Sequence, residues 1–191
     1  NNITDTWGTG ATIQTMVFGN LNEKSGTGVA FTRNPSTGDK ELYGEYLMNA
    51  QGEDVVAGLR TPLPITNDEK GGKNSLEENF PTAYKEIIET ADKLENHFKE
   101  VQDIEFTIED EQIYLLQTRK AKRTAQAGVK IAIDMEAEGI VSKEDAILMV
   151  DANNITNLLH PQFIESQERD FFYKALNASP GAAVGDIVFD A

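Results

Sequence analysis

Residues 103–119 read DIEFTIEDEQIYLLQTR, and the fold turns on how they are paired. From Asp103 onward apolar and polar residues alternate, with Ile104, Phe106 and Ile108 on one side and Asp103, Glu105 and Thr107 on the other. A period of two marks a strand buried on one face. A second strand-forming run, Ile113 to Thr118, follows the polar stretch Asp110-Glu111-Gln112, so the two runs predict an antiparallel hairpin. If that stretch is the loop, Glu109 pairs with Ile113, Glu105 with Gln117 and Asp103 with Arg119, while Phe106 and Leu116 point into the core. Two carboxylates, an amide and a guanidinium then share one face at the open end of the hairpin. Carboxylate and amide oxygens are hard ligands suited to Mg²⁺, and a neighbouring arginine suits a phosphate. The same pattern equally describes a solvated polar face with cross-strand charge pairs, as in a non-catalytic interaction module.

Outward from the hairpin, the period upstream is helical. Between Phe80 and Val101, Tyr84, Ile87, Ile88, Ala91, Leu94, Glu95 and Phe98 follow the i, i+3, i+4, i+7 spacing of an amphipathic helix, with Pro81 in its first turn. This helix is expected to pack on the sheet that contains the hairpin. Further upstream, Ile13, Thr15, Val17 and Phe18 suggest a strand closed by Gly19-Asn20. A second strand lies in GVAFTRNP, which ends at Pro35, and a third in Glu41–Met48. Gly26-Thr27-Gly28 reads as a hairpin turn rather than a phosphate loop, because no Walker-type lysine follows. Val55–Gly58 carries a weak helix signal, the prolines 62 and 64 stop regular pairing, and Asn67–Glu78 reads as a surface loop. Downstream, a second helix is expected over Lys120–Gly139, then a capped helix from Glu144 to Val150 and a short helical piece ending before Pro161. Gln162–Asn177 reads as a linker, and Ala178–Ala191 opens a new unit with a strand near its end. Neither His97 nor His160 has a metal-spaced partner, so both are expected at a surface or a helix end.

Composition narrows the class. The chain has 191 residues, 39% of them apolar, and a formal net charge of −15. That acidity opposes non-specific nucleic-acid binding and attachment to an anionic membrane surface. A local nucleotide site stays open, because a bound cation can override the global sign. The absence of cysteine excludes disulfides, thiolate catalysis and zinc–thiolate centres. No run approaches the ~18 apolar residues of a membrane span, so a cytoplasmic protein is expected. The missing initial methionine and the strand-like end suggest a piece of something longer.

Several blocks carry a family resemblance: TGVAFTRNPSTGDKELYGEYL, NAQGEDVVAGLRTP, DIEFTIE, YLLQTRKAKRTA, LLHP and ASPGAAVG, in that order. Together they resemble the pyruvate, phosphate dikinase family over nearly the whole chain. The resemblance implies an α+β fold: residues 1–120 as the second part of an ATP-grasp domain with a mostly antiparallel sheet, 121–177 as a helical linker, and 178–191 as the first strand of a swivelling phosphohistidine domain. It implies an enzyme that converts ATP, inorganic phosphate and pyruvate to AMP, pyrophosphate and phosphoenolpyruvate with Mg²⁺, the full-length enzyme being a homodimer. On this chain it assigns Glu105 and Gln117 to Mg²⁺, Arg119 to charge stabilisation during transfer, and Asp103 to support of that cluster. It also places Gln51, Gly52 and Glu53 near the nucleotide and Arg33 near the phosphates. An isolated piece of this kind is expected to be inactive, lacking the other ATP-grasp half and the phosphohistidine. A related dikinase resembling phosphoenolpyruvate synthase, which uses water in place of phosphate, is the alternative within the same chemistry.

Overall fold

The computed structural model describes residue 8, residues 10–57, 60–67 and 74–155, and the single positions 158 and 185. Among the described residues five strands form one antiparallel sheet in the order β3-β2-β1-β4-β5: β1 Gly26–Phe31, β2 Tyr43–Met48, β3 Leu63–Pro64, β4 Gln102–Glu109 and β5 Gln112–Lys120. Six helices are interspersed among the described residues: α1 Gly52–Ala57, α2 Leu76–Asn79, α3 Pro81–Phe98, α4 Ala125–Ala137, α5 Lys143–Met149 and α6 Ala152–Ile155. The architecture is α+β, as the sequence implies.

One face of the sheet is dry. Ile104, Phe106 and Ile108 of β4, Ala30 of β1 and Tyr46 of β2 pack against Ala83, Ile87 and Ala91 of α3. Burying each of the large apolar side chains contributes about 1.5–3 kcal/mol before entropy is counted. The helix meets the sheet along an i, i+4 ladder that continues to Glu95, and Ile88 and Phe98 fall beside that ladder and stay exposed. A second cluster joins Phe31, on the opposite face of β1, to Val101, Ala121 and the α4 residues Ala127, Ile131 and Met135. Thus α4, which falls in the expected linker, is docked on the sheet. The loop between β1 and β2 also closes on this helix: Gly38 sits at φ +85°, and a Cβ there would lie 3.0 Å from the Ala127 carbonyl oxygen.

Four local expectations are corrected. Residues 11–18 form no strand, and Ile13 is fully exposed: alternation alone does not make a strand without a ladder partner, and none lies beside it among the described residues. Gly26 and Gly28 lie inside β1 rather than in a turn. A Cβ on Gly28 would come within 2.7 Å of the Glu45 carbonyl oxygen and the Phe106 ring, so glycine is there to let β2 and the core ring approach. The proline pair does not end pairing outright, because Leu63 and Pro64 lie opposite Tyr46 and Glu45 as a short edge strand, where proline is tolerated. The helix expected from Lys120 starts at Ala125, where Thr124 accepts a hydrogen bond from the Ala127 amide and caps it. Within the expected loop 67–78, Ser75 caps the short α2 by accepting from the Glu78 amide. The linker 162–177 and the final strand fall outside the described residues apart from position 185.

The hairpin differs in detail from its prediction. Its turn is two residues, Asp110 and Glu111, both at positive φ (49° and 71°), as a type I′ turn requires. Glu109 therefore lies opposite Gln112. Register then shifts by one between Glu105 and Phe106, Leu116 being left without a partner, so that Phe106 faces Leu115, Glu105 faces Gln117 and Asp103 faces Arg119. The pairs expected at the open end are present, but Leu116 is exposed rather than in the core.

Candidate nucleotide-binding face

The face of the sheet away from α3 is polar at its centre. Strand register lays Glu45, Val29, Glu105 and Gln117 in one row across β2, β1, β4 and β5, and Tyr43, Phe31, Asp103 and Arg119 in the next. Directly opposed residues on one face hold their Cβ atoms about 4.5–5.5 Å apart. Glu105 and Gln117 make no side-chain hydrogen bond to any other described residue, so two hard oxygen donors stand side by side and uncommitted. Among the described residues no cluster of three or more His, Cys, Asp or Glu could hold a metal by itself. One carboxylate and one amide suit Mg²⁺ nonetheless, an ion that keeps several waters and takes the rest of its ligands from phosphate oxygens.

The neighbouring row presents a cation. Arg119 Nε donates to Asp103 Oδ2 at 2.8 Å, with Asp103 nearly buried and the arginine side chain 62% exposed. The hydrogen bond to Asp103, then its charge and that of Glu105, raise the guanidinium pKa above its already high ordinary value. Because Asp103 takes the Nε edge, both terminal amino groups are left without a protein acceptor among the described residues. Their planar fork is what binds a phosphate through paired hydrogen bonds.

The other residues implied by the resemblance do not join this cluster. Gly52 and Glu53 begin α1 and Gln51 immediately precedes it, beyond the end of β2 at Met48. Met48 lies in the row of Gly26 and Ile108, five residue steps and roughly 17 Å along the sheet from Asp103. There Gln51 donates to Asn20 Oδ1, its amide donates to Asp54 Oδ2, and the space beside Gly52 is open. Arg33 is fully buried. Its Nε and Nη2 donate to Glu95 and its Nη1 and Nη2 to Glu138, at 2.9–3.2 Å, and Lys40 completes the group on Glu138. Burial opposes its charge, but the hydrogen bonds and charges of the two carboxylates more than compensate and raise its pKa. Burial would raise the Glu138 carboxyl, but the hydrogen bonds and charges of Arg33 and Lys40 hold it below its usual range. Sequence reasoning did not single out Glu45, which shares the row of Glu105 and Gln117 and likewise makes no side-chain hydrogen bond among the described residues. Its signal was the alternation in Glu41–Met48.

A family model described as "Pyruvate phosphate dikinase, AMP/ATP-binding domain" matches residues 1–85 and 66–139. The chain belongs to the pyruvate phosphate dikinase AMP/ATP-binding domain family. Its fold is accordingly of the ATP-grasp type, and the family match runs through α4. Among curated relatives, the chain is 53% identical over 189 residues to "Pyruvate, phosphate dikinase" of Rhizobium meliloti (strain 1021), covering 97% of this chain and 21% of the relative. It is 52% identical over 193 residues to the Clostridium symbiosum protein of the same name, at 100% and 21% coverage. It is 51% identical over 193 residues to "Pyruvate, phosphate dikinase 1, chloroplastic" of Arabidopsis thaliana, at 100% and 19%. The chain thus spans about a fifth of the length of the relatives it matches. No helix among the described residues is long and apolar enough to cross a membrane.

Proposed function

We propose that this chain forms one wall of an ATP–Mg²⁺ site in a pyruvate, phosphate dikinase. In this reading the site moves a pyrophosphoryl group from ATP to a histidine on a swivelling domain of the same polypeptide, and the overall reaction makes phosphoenolpyruvate from pyruvate, ATP and inorganic phosphate. The observation that carries it is the in-register cluster: uncommitted Glu105 and Gln117 beside an Arg119 whose phosphate-binding edge is free. Glu105 and Gln117 would hold Mg²⁺, which when bound would supply positive charge against the negative charge developing on the polyphosphate. Arg119 touches the polyphosphate and stabilises the equatorial oxygens as the group moves. Asp103 positions Arg119 by occupying Nε. Gln51, Gly52 and Glu53 serve the nucleotide from the far end of the face. Arg33 serves the phosphates only indirectly, by fixing the end of β1 beside the Asp103 row. The segment after residue 120 leads towards the swivelling domain.

The test separates the half-reactions in the full-length polypeptide. Glu105→Gln should raise the Mg²⁺ concentration needed for ATP-dependent phosphohistidine formation, and leave phosphoryl exchange between phosphohistidine and pyruvate at its parental rate. Equal loss in both, or in neither, would defeat the assignment.

A further inference from the structure

Among the described residues, the β4–β5 ladder is the only one of the four that breaks register, and it breaks beside the candidate site. The shift falls between Glu105 and Phe106, and the unpaired residue, Leu116, immediately precedes Gln117. Side-chain parity shows what it does. Counted without interruption from Glu109 opposite Gln112, Glu105 would face Leu116 and Asp103 would face Thr118. Gln117 and Arg119 would then point towards α3, because a one-residue slip turns every side chain to the other face. Leu116 is also poorly placed to be kept for packing: it is 39% exposed, and its neighbour Leu115 is 47% exposed. The strand gives up burial of a leucine at that point, and a bulge bends the strand that carries it and adds local twist.

The turn holds this arrangement in place. Asp110 and Glu111 both occupy the left-handed region without glycine. They are tied down by the Asp110 amide donating to Ser25 Oγ, the Glu111 amide donating to the Lys24 carbonyl, and Asn22 Nδ2 donating to Asp110 Oδ1. A three-residue turn would remove the bulge and keep the Glu105–Gln117 pair, and the segment 22–25 clamps the chain against it.

We propose that the Leu116 bulge is a positioning element of the site: its added twist aims Gln117 and Arg119 over Glu105 and Asp103, and pairing alone is not enough. The inference rests on the reading of this face as the ATP–Mg²⁺ site. Deleting Leu116 from the full-length enzyme tests it, because the deletion makes Leu115 and Gln117 consecutive. The ladder becomes regular with Phe106–Leu115, Glu105–Gln117 and Asp103–Arg119 still paired. A second variant deletes Leu116 and inserts glycine between Ile113 and Tyr114, which moves the extra residue away from the site at constant chain length. Leu116→Ala keeps the bulge and controls for loss of the side chain.

The expected result is a fall of at least tenfold in single-turnover phosphohistidine formation from ATP in both bulge variants, with a raised Mg²⁺ requirement. Their exchange of phosphohistidine with pyruvate and their unfolding midpoints should be parental, and Leu116→Ala should behave as the parent. Parental ATP turnover in either folded bulge variant would overturn the proposal. Failure of both variants to fold would also overturn it, making the bulge a requirement of folding. Glu105→Gln run alongside keeps the two readings apart: if it leaves the Mg²⁺ requirement unchanged, the site assignment itself is what fails.

Discussion

Arg33 lies two residues past β1 and Arg119 one residue before the end of β5, and each gives its Nε to a carboxylate. There the likeness stops. Every nitrogen of Arg33 is matched to Glu95 or Glu138, and no part of it reaches solvent. Arg119 is held by one edge only, and the rest of its guanidinium faces outward across an open sheet. A buried ion pair is fully satisfied or it is costly, whereas an exposed one contributes little to stability. Complete pairing therefore marks architecture here, and incomplete pairing leaves donors that a ligand could take.

The sharpest way to break this contrast is to orphan the buried arginine. Glu95→Ala leaves a buried guanidinium half-paired and is expected to destabilise the chain by about 3–5 kcal/mol, measured by chemical denaturation. The double substitution Arg33→Met, Glu95→Leu should recover most of that loss, since removing both charges removes the desolvation cost as well. An unchanged midpoint for Glu95→Ala would mean that the network is not structural.

Arg119→Lys should do the reverse, leaving the unfolding midpoint where it is. It is expected to slow phosphohistidine formation from ATP by about 10²–10³-fold, because lysine keeps the charge but not the planar fork. Single-turnover kinetics of the two half-reactions decide it, with the pyruvate half-reaction unaffected.

A smaller effect sharpens the architectural side through pH. Glu100 is nearly buried; burial favours its neutral form, but hydrogen bonds from Arg123 and Lys120 and their charges prevail and lower its pKa from the ordinary 4.5. A depressed folded-state pKa means that the stabilisation is fully present above pH 4.5 and is lost as pH falls through the folded value. Glu100→Gln should therefore flatten the acid limb of the stability profile below that pH and lower the plateau above it. Denaturation midpoints measured across pH 3–7 would show a parallel curve if Glu100 were uninvolved.

The smallest effect concerns the turn. Glu111→Gly relieves a left-handed residue and gives the Asp-Gly pair that a type I′ turn favours. A gain of about 1 kcal/mol at most is expected, reduced by loss of the exposed Lys24–Glu111 pair. A loss of stability would show that the 22–25 clamp, rather than backbone preference, sets the turn.

How much of this was legible in the sequence depends on range. The alternation in 103–109 gave the buried face of β4 and the cross-strand pairs at its end, because period and parity are local. The loop length was misjudged by one residue, and the bulge at Leu116 cancelled that error before it reached Gln117. No feature of the sequence distinguishes a three-residue loop from a two-residue turn followed by a bulge, since both contain the same residues between the same pairs. Residues 11–18 carry the alternation of a strand but have no strand partner among the described residues, and ladders are tertiary facts. The resemblance places Arg33 near the phosphates, while the carboxylates it pairs with in the structure, Glu95 and Glu138, lie 62 and 105 residues away and could not be read from its local motif. One hint was available: Glu95 sits on the apolar stripe of its helix, where an acid needs a partner.

β1 occupies the middle of the sheet, yet its two neighbours come from distant parts of the chain. The β2 side closes across a short connection, but the β4 side joins segments roughly 70 residues apart, a closure that costs about 4 kcal/mol of chain entropy. During synthesis β1 and β2 emerge before β4, so a β1–β2 pair formed at that stage would leave the Gly26–Phe31 edge unpaired. Its two glycines, required in the finished sheet for close approach, also make that waiting edge a poor template for foreign strands. In pulse-labelled hydrogen exchange during refolding, the β1 amides that bond to β4 should be the last in the sheet to gain protection.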